Sequence, residues 1–199
     1  CAFRAVAKHR LRARPLVPAR VGLDASERGS LAHRCLARLW QSLQTSRALE
    51  SQPRVTTAIR TAVTTVLTEA AAEFPAMSPR LRDLEQQRLE SLLVSWIALE
   101  RQRAPFHVIA TEQKSHININ GLELDVKADR VDEVEGFGRM IVDYKTGIVG
   151  RKPWEGDRPA EPQLPLYACT ADQPPAGIAF ALLKAGKLAY QGVATQRDL

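Results

Sequence analysis

The spacing of apolar positions changes near the middle of the chain. Up to about residue 105 they recur every three or four residues, which predicts helices; beyond Phe106 they alternate or run in short blocks, which predicts strands. The first clear helix starts at Asp24 or Ser26, either of which can cap it, and reaches about Leu43 with Ala32, Leu36, Leu39 and Leu43 as its stripe. A second runs from about Val55 to Phe74, with Val55, Ile59, Ala62, Val66 and Ala70 on one face; its many threonines and β-branched residues make it weak by propensity. Ser78–Pro79 starts a third, reaching about Arg103, with Leu81, Leu84, Leu89, Leu92, Trp96 and Leu99 expected inside. Ahead of these, residues 1–23 are basic, punctuated by Pro15 and Pro18, with a helical turn or two around Phe3 to Leu11.

Two short strands, Phe106 to Glu112 and Ser115 to Ile119, are predicted next, and Asn120–Gly121 is a hairpin signal into the strand that starts at Leu122. Gly136–Phe137–Gly138 turns that strand into another, Met140 to Lys145. A loop from Ile148 to Ala160 leads to a short helix at Pro162 to Ala168, and the hairpin Gly177 to Leu183 and Leu188 to Val193 follows. The order predicts an α/β fold: one domain over 1–199, mainly helical over 1–105, with a mixed sheet flanked by helices over 106–199. Beginning with Cys1 rather than Met, the chain is expected to be a piece of a longer protein.

With 45% apolar and 25% charged residues, the composition is that of a globular chain. No apolar run is long enough to span a bilayer. The net charge of +6 is unevenly spread: residues 1–60 hold twelve Lys/Arg against three acids, +9, so the remainder carries −3. A basic arm beside a carboxylate-bearing sheet predicts a polyanionic partner steered to the site. Cys1, Cys35 and Cys169 are too few and too widely spaced for a disulfide framework, which suits a reducing cytoplasm. Cys35 and Cys169 both fall in apolar surroundings and are expected in the core.

The candidate chemistry lies between Leu122 and Gly147. Asp143 and Lys145 share a strand face, while Tyr144 takes the other. Asp125, Lys127 and Asp129 alternate on the preceding strand. Carboxylates beside an ammonium are how a divalent cation and a scissile phosphate are held together. By residue type alone, His33 reads as a residue at the edge of its helix's apolar stripe.

Four segments stand in order: ERGSLAHRCL (Glu27 to Leu36), ADRVD (Ala128 to Asp132), VDYKTG (Val142 to Gly147) and QLPLY (Gln163 to Tyr167). Together they resemble the motifs of the PD-(D/E)XK nuclease superfamily, and within it the RecB/AddB-like exonuclease domains of helicase–nuclease repair proteins. The resemblance implies a restriction-endonuclease-like core and makes His33, Asp129 and Asp143 the metal ligands. Lys145 becomes catalytic, orienting the attacking water and balancing charge on the phosphate. Gln163 and Tyr167, four apart on one helical face, are expected to position water or the DNA backbone. Asp132 is the rival to Asp129, but three residues along a regular strand it faces the other way and would pair with Arg130 or another base. Glu112 is expected near the site or paired with a basic residue, and Asp125 in solvent.

Oxygen-rich ligation with one imidazole suits Mg²⁺ or Mn²⁺ better than zinc. The reaction implied is metal-assisted hydrolysis of DNA phosphodiesters with weak sequence preference, on single-stranded or unwound ends and beside a helicase. Two rivals stay open: a silent nuclease-like module that binds DNA or braces a helicase, and a structure-specific endonuclease. Several relatives build an iron–sulfur cluster from one Cys ahead of the histidine motif and three near the C-terminus. Cys1 stands at the first place, but no Cys follows Cys169, so this chain alone cannot supply the four thiolates.

Overall fold

The computed structural model describes residues 2–13, 22–74, 77–119, 121–150, 153–155, 159–171, 173–184 and 186–196. Cys1, Pro15, Pro18 and the Asn120 turn position lie outside them. A short helix, α1 (Ala2–Ala5), continues into a π-helical turn at Val6–Arg10; both are without buried residues. Three long helices follow: α2 (Ala25–Leu43), α3 (Gln52–Glu73) and α4 (Pro79–Glu100), with a 3-10 turn at Ser46–Glu50 between the first two. The sheet comprises β1 (Phe106–Ile119), β2 (Leu122–Val134), β3 (Gly138–Lys145), β4 (Gly177–Leu182) and β5 (Ala189–Ala194), in that spatial order. Pairing is antiparallel except between β3 and β4, which run parallel and are joined through α5 (Gln163–Thr170).

Side-chain alternation along the strands sorts the core into two layers. Val142, Tyr144, Ala179 and Ala181 face α2, α3 and α4, while Ile141, Ile178 and Phe180 face α5. The predicted stripes of α2 and α3 are buried as expected. On α4, Leu89 and Trp96 are buried as expected, but the rest of the buried stripe is Glu85, Leu93, Ile97 and Glu100, while Leu81, Leu92 and Leu99 are half-buried and Leu84 is exposed. Glu85 and Glu100 occupy core positions because each has arginine partners: Arg28 and Arg88 for the first, Arg103 and Arg130 for the second. Burial of a charge is tolerated only with such pairing.

Two further expectations change. The two predicted strands after Phe106 are one continuous strand: Gln113 and Lys114, at the predicted break, pair with Ala128 and Lys127, and the register shift lies earlier, as a bulge between Val108 and Ala110. Cys35 is buried, but Cys169 is exposed: α5 buries Leu164 and Tyr167, and two residues beyond Tyr167 the helix has turned about 200° towards solvent.

Candidate active site

The candidate site forms where β2 and β3 part. Their ladder ends at the pair Arg130–Val142. Beyond it, the amide of Tyr144, two residues after Val142, donates to Oδ2 of Asp129, the residue before Arg130, at 2.8 Å. A carboxylate thus takes the place of a ladder carbonyl, which lets the strands separate while β3 stays paired to β4 as far as Lys145–Leu182. The irregularity extends across β1: Glu112, flanked by the pairs Thr111–Arg130 and Gln113–Ala128, has φ of 54°. Backbone held in this left-handed region by a residue other than glycine costs about 1–3 kcal/mol and concentrates at functional sites. Ala128 and Val131, three apart, both belong to the α5-side core, so alternation slips by one at Asp129. Asp129 and Asp132 do have separate surroundings, but not through regular alternation.

Asp129 is turned towards α2, where His33 Nδ1 lies 3.2 Å from its Oδ2. Two features of α2 fix that histidine. Asp24 and Glu27 form a reciprocal capping box, each carboxylate accepting the other's amide at 2.7 Å, an arrangement worth on the order of 1 kcal/mol. Gly29 permits close approach to the end of β3, because a Cβ there would lie 2.9 Å from Thr146 Oγ1. The His33 ring also meets the Tyr144 ring edge-on, with centroids 5.9 Å apart. Burial opposes its positive charge, but the Asp129 hydrogen bond and the charges of Asp129, Asp143 and Glu112 outweigh burial and raise its pKa.

Asp143 is buried, and Lys145 Nζ stands 3.0 Å from its Oδ2. The approach is poorly aligned, so this buried oxygen has close charge compensation without a properly directed hydrogen bond. Burial, and then the neighbouring Asp129 carboxylate, push the Asp143 pKa up; Lys145 and His33 act the other way. For Lys145, burial works against the ammonium, yet Asp143 and Glu161 together raise its pKa. Glu161, 3.5 Å from Lys145 Nζ, is the member that sequence reasoning missed; it lies in the loop before α5, outside any periodic pattern.

The remaining expected residues lie around this group rather than in it. Glu112 forms an ion pair with Lys127. Gln163 donates to the Lys127 carbonyl at 2.6 Å, and Tyr167 is buried beneath α5 with its hydroxyl 3.5 Å from Ser115 Oγ. Asp125 is exposed and paired with His116. Asp132 sits in a buried cluster, accepting from Arg103 and Arg130 at 2.8 and 2.9 Å; Glu100, Tyr144 and Tyr190 complete it.

Two carboxylates and an imidazole make a donor set that suits a hard divalent cation. The orphaned Asp143 Oδ2 is a ready acceptor for such an ion, and the 3.2 Å between His33 Nδ1 and Asp129 Oδ2 is close to the roughly 3 Å between neighbouring ligands in an octahedron with ~2.1 Å bonds. Among the described residues, however, no three His, Cys, Asp or Glu side chains already converge on one point. Holding a cation therefore requires the His33–Asp129 and Asp143–Lys145 pairs to open towards it. Among the described residues, no helix is long and apolar enough to cross a membrane.

No curated protein matches the sequence. A family model does, from end to end: that of the PD-(D/E)XK nuclease superfamily covers residues 1–198, and the chain belongs to that superfamily.

Proposed function

We propose that this domain is a divalent-metal-dependent DNA exonuclease of the RecB/AddB-like type, acting on single-stranded or freshly unwound ends beside a helicase. The observation that carries the chemistry is the Asp143–Lys145 pair at the point where β2 and β3 separate, with Asp129 and His33 alongside. His33, Asp129 and Asp143 would hold Mg²⁺ or Mn²⁺, which supplies Lewis-acid charge and lowers the pKa of a water molecule. Lys145 orients the attacking oxygen and places its ammonium against negative charge developing on the phosphate. Asp143 and then Glu161 favour the charged form of that ammonium, and Gln163 fixes the β2 backbone two residues ahead of Asp129. The ordered set of His, Asp, Asp-x-Lys and Gln-x-x-x-Tyr motifs supports the subtype and, through it, the helicase partner.

End-labelled single- and double-stranded DNA, incubated with Mg²⁺, Mn²⁺ or EDTA, tests this reading. The expected result is metal-dependent release of terminal label before internal fragments accumulate, faster on single strands. Internal fragments appearing first would replace the exonuclease with an endonuclease. Absence of cleavage under every condition would leave a silent DNA-binding module.

A further inference from the structure

The threonines that make α3 a weak helix have an unexplained arrangement. Thr57, Thr61 and Thr65 recur at every fourth residue, hence on one face at a repeat of about one turn, ~6 Å. They line an open groove of about 630 Å³ between α3 and α2, whose other wall includes Arg38, Gln41 and Ser42, with Arg54 at the end where α3 begins. Thr57, Thr61 and Arg54 are exposed. Among the described residues no carboxylate lines this groove, although the chain has 22 acids. Guanidinium groups, hydroxyls and an amide are the side chains that contact phosphate and sugar oxygens without reading bases.

The charges within the groove are not equally committed. Arg38 is engaged by Glu69 from outside the groove, whereas the Arg54 guanidinium meets the Ser42 carbonyl at 3.4 Å rather than a carboxylate. Both belong to the N-terminal sixty residues, whose net charge is +9. The groove also has a defined relation to the candidate site. Gln41 donates to Thr111 Oγ1 at 3.2 Å, and Thr111 immediately precedes Glu112 on β1. Thr111 is paired with Arg130, the neighbour of Asp129. Along α2, Arg38 and Gln41 follow His33 by five and eight residues, about 7 and 12 Å of helix axis.

We infer that the α2–α3 groove is a second nucleic-acid contact, a track for the sugar–phosphate backbone of a single strand leading to or from the site at Asp129 and Asp143. This rests on the nuclease reading for what happens at that site, but not for the binding itself. The threonine hydroxyls supply neutral, evenly repeated donors, and Arg54 supplies the charge. An extended single strand fits this spacing because its successive phosphates repeat at a similar interval. Contacts of this kind tolerate any base, as an enzyme moving along a strand requires.

Fluorescence anisotropy with a labelled single-stranded oligonucleotide, in EDTA across a range of salt concentrations, tests the inference without cleavage. Arg54→Ala is expected to weaken binding and to lower the log–log salt slope by about 0.7, one phosphate contact on a single strand. Thr61→Glu, which places a carboxylate in the groove, is expected to weaken binding about tenfold or more. Arg80→Ala, an exposed arginine on α4, is the control and should leave affinity and slope unchanged. Circular dichroism checks that each variant is folded. Wild-type affinity and slope in both groove variants would overturn the inference. If those variants also degrade DNA normally, the groove reading fails while the nuclease reading stands; a wild type that cuts no DNA but loses binding in both variants does the reverse. Poly-glutamate that binds the wild type as tightly as the oligonucleotide does, and is weakened equally by both groove variants, would also overturn it, assigning the groove to an acidic protein.

Discussion

Glu100→Gln is a perturbation whose size follows from the buried cluster behind the site. Glu100 and Arg130 are fully buried, and Glu100 Oε1 accepts from Arg130 and Tyr190, each at 2.7 Å. Its Oε2 accepts from Arg103 at 2.9 Å, while Asp132 takes one contact from each arginine. Two carboxylates thus balance two guanidinium groups. Glutamine keeps the shape but leaves one positive charge uncompensated, which costs about 3–5 kcal/mol. In a chain of this length each kcal/mol moves Tm by about 2–4 °C, so the melting temperature should fall by roughly 6–20 °C. Burial alone would raise the Glu100 pKa, but Arg130 and Arg103 outweigh it, and the folded-state pKa lies below the ordinary 4.5.

The sign for pH follows from that shift. A depressed carboxylate pKa contributes fully to stability above 4.5 and loses that contribution as pH falls through the folded value. The difference in Tm between wild type and Glu100→Gln should therefore be full near pH 7 and narrow below pH 4.5. Asp132 runs the opposite way: burial outweighs its arginines and, with the Glu100 charge nearby, raises its pKa, so in the wild type its ionised form subtracts stability. Because Arg130 also donates to the Tyr144 hydroxyl at 3.0 Å, and Tyr144 separates Asp143 from Lys145, the variant should lose activity at lower temperature than wild type. Thermal unfolding followed by circular dichroism at several pH values is the assay. A change in Tm under about 2 °C at pH 7, or a difference that widens with acid, would refute the charge-balance argument.

Two other outcomes follow. Asp143→Asn should abolish cleavage and leave Tm equal or higher, because burial and the adjacent Asp129 disfavour its ionised form, raising its pKa; a fall of several degrees, measured by the same melting experiment, would contradict this. Iodoacetamide at pH 8 should modify exposed Cys169 in the native protein and spare Cys35, whose thiol burial pushes up to about 12; peptide mass spectrometry showing equal labelling would contradict the packing of α2.

Much of the architecture was legible because it follows local rules. The α2 and α3 stripes, the Ser78–Pro79 start and the glycine turn at Gly136 and Gly138 each depend on a few consecutive residues. Failures arose where distant partners changed a residue's meaning. Glu85 and Glu100 look like surface positions until Arg28 and Arg130 reach them, which displaced the predicted face of α4. Glu112 reads as an ordinary strand residue, since nothing in its neighbours announces a left-handed backbone opposite Asp129. For the site, residue types and order pointed to His33, Asp129, Asp143 and Lys145 through family resemblance, and the structure places His33 beside Asp129 and Lys145 beside Asp143. The His33–Asp129 contact itself spans 96 positions and could not come from spacing. Glu161 lay in a loop with no periodicity, and Tyr167 proved more deeply packed than a surface helix position would suggest.

The proposed role of Lys145 is to act on the phosphate rather than merely to neutralise Asp143. Single-turnover cleavage of single-stranded DNA by wild type and Lys145→Met, at saturating protein and Mg²⁺ and with DNA affinity measured alongside, tests it most directly. The rate should fall by about 100-fold or more, as for loss of one charge-stabilising donor, with affinity changed only slightly. A Lys145→Met protein that cleaves at the wild-type rate would contradict it.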